Sequence, residues 1–144
     1  MTVQNRQRIY VIQKHAASAL HYDLRLEMNG VLKSWAVPKE PSKRHSDKRL
    51  AISVDDHSLG YEKFEGVIPE GEYGAGMVQI WDSGTYELLE NTPNKLVINI
   101  YGKVLQGEYC LIKLRPGSRA DKNWLFFIKR PDRPIKKTRT DQKL

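Results

Sequence analysis

Cysteine is almost missing from this 144-residue chain: Cys110 stands alone, which excludes an internal disulfide and any Cys-x-x-Cys zinc site. Long apolar runs are missing too. No stretch approaches the roughly 18 apolar residues that cross a bilayer as a helix, and the start M-T-V-Q-N-R-Q-R has no signal-peptide core. The chain therefore reads as soluble and cytoplasmic, with no membrane partner. Helical periodicity is scarce, since only Ala16 to Leu20 could supply a helical turn, and that is too short to be stable alone. The glycines at 66, 71, 74 and 76 lack the terminal Gly-Lys-Ser/Thr of a phosphate loop and read as a tight turn between strands. No internal repeat is present.

Charge is plentiful and unevenly placed. Of the net +7, residues Lys129 to Leu144 hold +5, with seven basic and two acidic side chains. That segment contains two prolines and little to bury, so residues 1–130 are read as one domain and 131–144 as a flexible basic tail. Within the domain, Lys33 to Arg49 carries six basic and two acidic residues, whereas Leu50 to Glu90 carries one lysine against nine acids. A basic strip of this kind attracts a polyanion through phosphate contacts, although a solvated loop has the same composition.

Strand signals fill the rest. Arg8 to Gln13 is β-branched and aromatic, His21 to Glu27 alternates, Asn29-Gly30 is a hairpin turn, and Val31 to Val37 returns. Leu50 to Val54, M-V-Q-I-W, T-Y-E-L-L, Lys95 to Tyr101, Glu108 to Leu114 and Trp124 to Ile128 follow, with Asp82-Ser83-Gly84 read as a turn. About eight short strands with regular turns predict a mainly β, single-domain antiparallel barrel or sandwich. Cys110, inside one of these runs, is read as a small packing residue.

In H-A-A-S-A-L-H-Y-D-L-R-L-E, strand periodicity puts His21, Asp23, Arg25 and Glu27 on one face. A solvated ladder of alternating charge would show the same pattern. His15, six residues before His21, changes the reading: a turn through the alanines can bring both imidazoles beside Asp23, a set suited to a divalent metal. Arg25 on that face suits a phosphate, which a metal neutralises while a guanidinium grips it. His57 and Tyr61, in D-D-H-S-L-G-Y, follow a strand in turn-like sequence and form a second candidate cluster.

V-I-Q-K-H-A-A-S-A-L-H-Y-D-L-R-L-E-M-N-G-V-L-K-S-W-A-V-P-K-E-P-S, followed by K-R-L-A-I-S-V-D-D-H-S-L-G-Y-E-K-F-E-G-V-I-P-E-G-E-Y-G-A-G, resembles the 3′-phosphoesterase domain of bacterial ligase D and its stand-alone archaeal and bacterial relatives. These proteins process DNA ends in non-homologous end joining. The resemblance runs from about Ile9 to Trp81, and W-L-F-F-I-K-R fits the family's closing strand. It implies an eight-stranded antiparallel β-barrel flanked by short helices, and a manganese-dependent activity, with Co²⁺ or Zn²⁺ as other metals, that removes a 3′-terminal ribonucleoside and then the 3′-phosphate from primer-template ends. By the same resemblance the metal ligands fall on His15, His21 and Asp23, the catalytic phosphate-binding residues on Arg25, His57 and Tyr61, and further basic site residues on Lys39 and Arg49. Glu27 is then a supporting carboxylate that orients the arginine.

Ligase D joins this domain to polymerase and ligase modules, which implies separate ligase and polymerase partners for this chain. Many ligase D proteins also carry a longer N-terminal arm that helps process the ribonucleoside end, whereas only fourteen residues precede His15 here, so the balance of the two activities stays open. A non-catalytic nucleic-acid-binding barrel is the rival from another class, with Tyr73, Trp81 and Trp124 as stacking platforms. Their alternation with polar positions favours the core for most of them.

Overall fold

The computed structural model describes residues 7–119 and 121–130, so the expected tail at 131–144 lies outside the described residues. Nine strands appear among them: β1 (Arg8–Ala16), β2 (Leu20–Met28), β3 (Val31–Val37), β4 (Arg49–Ser58), β5 (Gly66–Ile68), β6 (Gly76–Thr92), β7 (Lys95–Gly102), β8 (Gln106–Lys113) and β9 (Asn123–Ile128). Neighbours follow the order β1-β2-β3-β4-β9-β8-β7-β6 and are antiparallel, and β6 returns to pair with β1. Eight strands thus close a barrel without free edges. The short β5 lies against the start of β6.

Alternation decides what fills the barrel. Tyr10 and Ile12 of β1, Tyr22, Leu24, Leu26 and Met28 of β2, Trp35 of β3, and Ile98 and Ile100 of β7 share one buried cluster with Trp124 and Phe126 of β9. Each strand turns every second side chain inward, and these rows meet at the axis. A smaller cluster of Val97, Cys110 and Phe127 lies on the other face of β7, β8 and β9, which gives Cys110 the packing role expected of it.

Three local expectations change. Asn29 and Gly30 do turn the β2–β3 hairpin with positive φ at both positions, but Asp82-Ser83-Gly84 does not turn, because β6 runs through it. The buried Asp82 carboxylate accepts the Tyr10 hydroxyl at 2.7 Å and the N–H groups of Lys103, Val104 and Leu105 at 2.8–2.9 Å. It thereby ties the β7–β8 turn to the barrel. A Cβ on Gly84 would collide with the Tyr101 carbonyl, so the glycine serves a close strand approach. The Ala17 to Ala19 segment is a bend and not a helical turn, and among the described residues the helical content is one 3₁₀ turn, Tyr61–Lys63. The flanking short helices are reduced to that turn.

Candidate metal and phosphate site

Inward alternation on β1 and β2 leaves Gln13, His15, His21, Asp23 and Arg25 pointing outward. Register sets them side by side, with His15 opposite His21 and Gln13 opposite Asp23. An outward row is normally wet, yet Gln13, His15, Asp23, Arg25 and Ser34 are buried. The segment from 59 to 75 roofs them. Gln13 Nε2 donates to the Tyr61 and Phe64 carbonyls at 2.8 and 3.1 Å, and His15 Nε2 pairs with the Gly74 carbonyl at 2.6 Å. At the roof's end, a Cβ on Gly76 would collide with the Ala16 carbonyl, which explains a glycine where the chain closes onto β1.

The imidazoles are fixed as tautomers by backbone carbonyls. His15 gives Nε2–H to Gly74, and His21 gives Nδ1–H to Ala19 at 3.1 Å. His15 Nδ1 and His21 Nε2 are left to face Asp23, 3.4 and 3.3 Å from its two oxygens. One donor atom from each of the three residues falls within 4.8 Å of the others. Two imidazoles and one carboxylate gathered this closely, with the imidazoles held from behind, fit a divalent metal ion. The hydrogen bond to Asp23 raises the His21 pKa against its burial. Burial is the largest single influence on Asp23 and pushes its carboxyl up, but His21, Arg25 and His15 together hold it below the ordinary carboxylate value.

Arg25 is gripped on all sides. Its Nε donates to Gln13 Oε1 at 2.6 Å, and Nη1 donates to Ser34 Oγ at 2.8 Å and to His57 Nδ1 at 3.0 Å. Among the described residues Nη2 meets only Asp23, at 3.5 Å. The guanidinium sits 4.9 Å over the Tyr61 ring, which itself stacks on Phe64. The guanidinium is therefore a rigidly held charge, with Nη2 as its least engaged nitrogen among the described residues. Gln13 and Ser34 do the orienting, and Glu27 directs Oε1 to the Ile9 N–H. Sequence reasoning missed Gln13 because its signal, a polar residue opposite Asp23, needs the β1–β2 register.

His57 stands on the last turn-ward residues of β4 rather than in a loop, paired with Leu32. Burial and then the Arg25 charge lower its pKa, so it is neutral at pH 7. With Nδ1 accepting from Arg25, its proton is on Nε2. Tyr61 enters from the 3₁₀ turn with its ring 4.6 Å from His57. His15, His21, Asp23, Arg25, His57 and Tyr61 thus line one cleft of about 410 Å³. Lys39 and Arg49 do not line it. Lys39 is exposed beyond β3, and Arg49 donates to the Glu40 carbonyl at 2.7 Å and borders a separate cleft with Trp81 and Val104.

Fold and cleft together define a closed antiparallel β-barrel with a candidate His-His-Asp metal set beside a buried arginine. A family model described as the DNA ligase D 3′-phosphoesterase domain matches residues 13–113, a span that holds every cleft residue named above. The chain belongs to that family. It is 51% identical over 108 residues to the multifunctional non-homologous end joining protein LigD of Mycobacterium bovis, covering 72% of this chain and 14% of that protein. Over 128 residues it is 45% identical to the LigD protein of Pseudomonas aeruginosa, covering 85% of this chain and 15% of the relative. It therefore spans about one-seventh of the length of these relatives. No helix among the described residues is long and apolar enough to cross a membrane.

Proposed function

We propose that this barrel is a divalent-metal-dependent phosphoesterase that heals DNA 3′ ends. It removes a 3′-phosphate, and before that a 3′-terminal ribonucleoside, to leave a 3′-hydroxyl for synthesis or sealing. The observation that carries this reading is the convergence of two tautomer-fixed imidazoles and a buried arginine on one carboxylate. Such a set is costly to bury for stability alone, because charged groups in a protein wall repay desolvation poorly. The end-joining names of the relatives supply the setting.

His15, His21 and Asp23 would hold the metal, Mn²⁺ by preference and Co²⁺ or Zn²⁺ as alternatives. Bound there, the ion supplies Lewis-acid charge to a phosphate oxygen. Arg25 adds fixed positive charge and an Nη2 donor, held in place before the substrate arrives. Neutral His57 donates from Nε2 to a phosphoryl or leaving oxygen, and the Tyr61 hydroxyl donates to another. Lys39 and Arg49 sit on the basic strip and bind the DNA backbone outside the cleft. The test incubates metal-stripped protein with labelled primer-template ending in a 3′-phosphate or one ribonucleotide, with and without Mn²⁺. Conversion to a 3′-hydroxyl only with metal is expected, and no product from either end sinks the reading.

A further inference from the structure

Tyr73, in the glycine-rich turn, is fully exposed, at 102%. Its position is what matters. It lies next to Gly74, whose carbonyl holds His15, and it lines the same cleft as the metal and phosphate residues. Val54, Ile68 and Ala17 line the same cleft. The cleft thus combines imidazole, carboxylate and guanidinium with apolar side chains and one exposed aromatic. Inorganic phosphate has no use for the apolar side chains or the aromatic. A phosphate ester of a nucleoside does, because a nucleobase has an apolar π-face that stacks on a phenol ring.

Charge and topology say which nucleoside. The basic strip runs through the connection from β3 to β4, whereas Tyr73 lies just before β6, which pairs with β1 and β5. Polyanionic DNA therefore runs toward the strip. Glu70 and Glu72 shortly precede Tyr73 and are exposed. An anionic backbone is repelled there, whereas a single terminal nucleoside past the scissile phosphate carries no charge of its own.

Building on the phosphoesterase reading, we infer that Tyr73 is the stacking platform for the departing 3′-terminal nucleoside, and that it sets the enzyme's preference between nucleoside-terminated and phosphate-terminated ends. The departing nucleoside leaves with the 5′-oxygen of the hydrolysed P–O bond, water supplies the incoming oxygen and the proton, and the DNA retains a 3′-phosphate. A 3′-phosphate end has no group to place on Tyr73.

The test measures kcat/KM for wild type, Tyr73→Ala and Tyr73→Phe on Mn²⁺-loaded protein, using primer-templates that end in one ribonucleoside or in a 3′-phosphate. In Tyr73→Ala the ratio of nucleoside-end to phosphate-end kcat/KM falls about tenfold, the size of one base–aromatic stack, mostly through KM. Tyr73→Phe keeps the wild-type ratio. An equal loss on both ends, no loss on either, or a Phe variant as poor as Ala overturns the inference. Wild-type turnover of the phosphate end alone overturns it while leaving the phosphatase reading intact. Turnover of neither end overturns the proposed function and this inference with it.

Discussion

The two faces of β1 and β2 are both buried, but by different means and with different contents. Inward, Tyr10, Ile12, Tyr22, Leu24 and Leu26 are covered by barrel closure and meet other apolar side chains. Outward, Gln13, His15, Asp23 and Arg25 are covered by a roof of turns and one 3₁₀ segment, and they meet each other. Burial alone does not separate core from site. The discriminating feature is whether the buried atoms carry lone pairs and charge that need partners. The inner face accordingly carries the packing, and the outer face gathers the groups proposed for chemistry.

Substitutions sharpen this contrast, beginning with the metal set. Asp23→Asn keeps the shape of the side chain while removing its charge. Loss of an outer-shell partner already costs roughly 10–100-fold, so loss of this ligand lowers Mn²⁺-dependent turnover by more than about a hundredfold. Circular dichroism should show an unchanged barrel. Arg25→Lys falls next, by about a hundredfold in kcat, because an ammonium cannot reach Gln13, Ser34 and His57 together. Turnover near wild type would show that the guanidinium's framework is irrelevant.

Leu24→Ala, on the inner face of the same strand, should act the other way. Deleting a fully buried leucine costs about 2–5 kcal/mol in denaturant unfolding while leaving kcat per folded molecule close to wild type. Gln13→Leu leaves Arg25 Nε and the roof carbonyls of Tyr61 and Phe64 without their partner. About a tenfold drop in kcat with Mn²⁺ affinity retained marks Gln13 as a positioning residue, and a matching fall in metal affinity would contradict that.

The smallest effect is one of pH. Burial, together with Asp82, raises the pKa of Tyr10, and burial is the main cause that pushes Tyr109 up to about 12. Both tyrosines keep their protons when folded and release them near 10 when unfolded. Their contribution is therefore complete below pH 10 and is lost as pH rises through the folded values. Melting temperature should decline above that pH, and Tyr10→Phe should flatten the decline.

Much of this was legible from residue patterns, and the failures have physical causes. Alternation in Arg8 to Gln13 and His21 to Glu27 located β1 and β2, and Asn29-Gly30 located their sequel, because period and turn chemistry are local. Asp82-Ser83-Gly84 misled because its turn residues serve partners about twenty positions away, at Lys103 to Leu105 and Tyr101. His15, His21 and Asp23 could be grouped because a tight bend joins them. Gln13 and Ser34 could not be placed on Arg25 without the register of three strands. The glycines at 66, 71, 74 and 76 were legible as a turn, and Tyr73 within it is exposed.

Calorimetric titration of Mn²⁺ into metal-stripped protein tests the central claim, that the outward face of β1 and β2 is one metal-centred site. Wild type and Leu24→Ala should each bind one ion per chain with similar affinity, and His15→Ala, His21→Ala and Asp23→Asn should each bind at least about a hundredfold more weakly. Wild-type affinity in all three outer-face variants would contradict it.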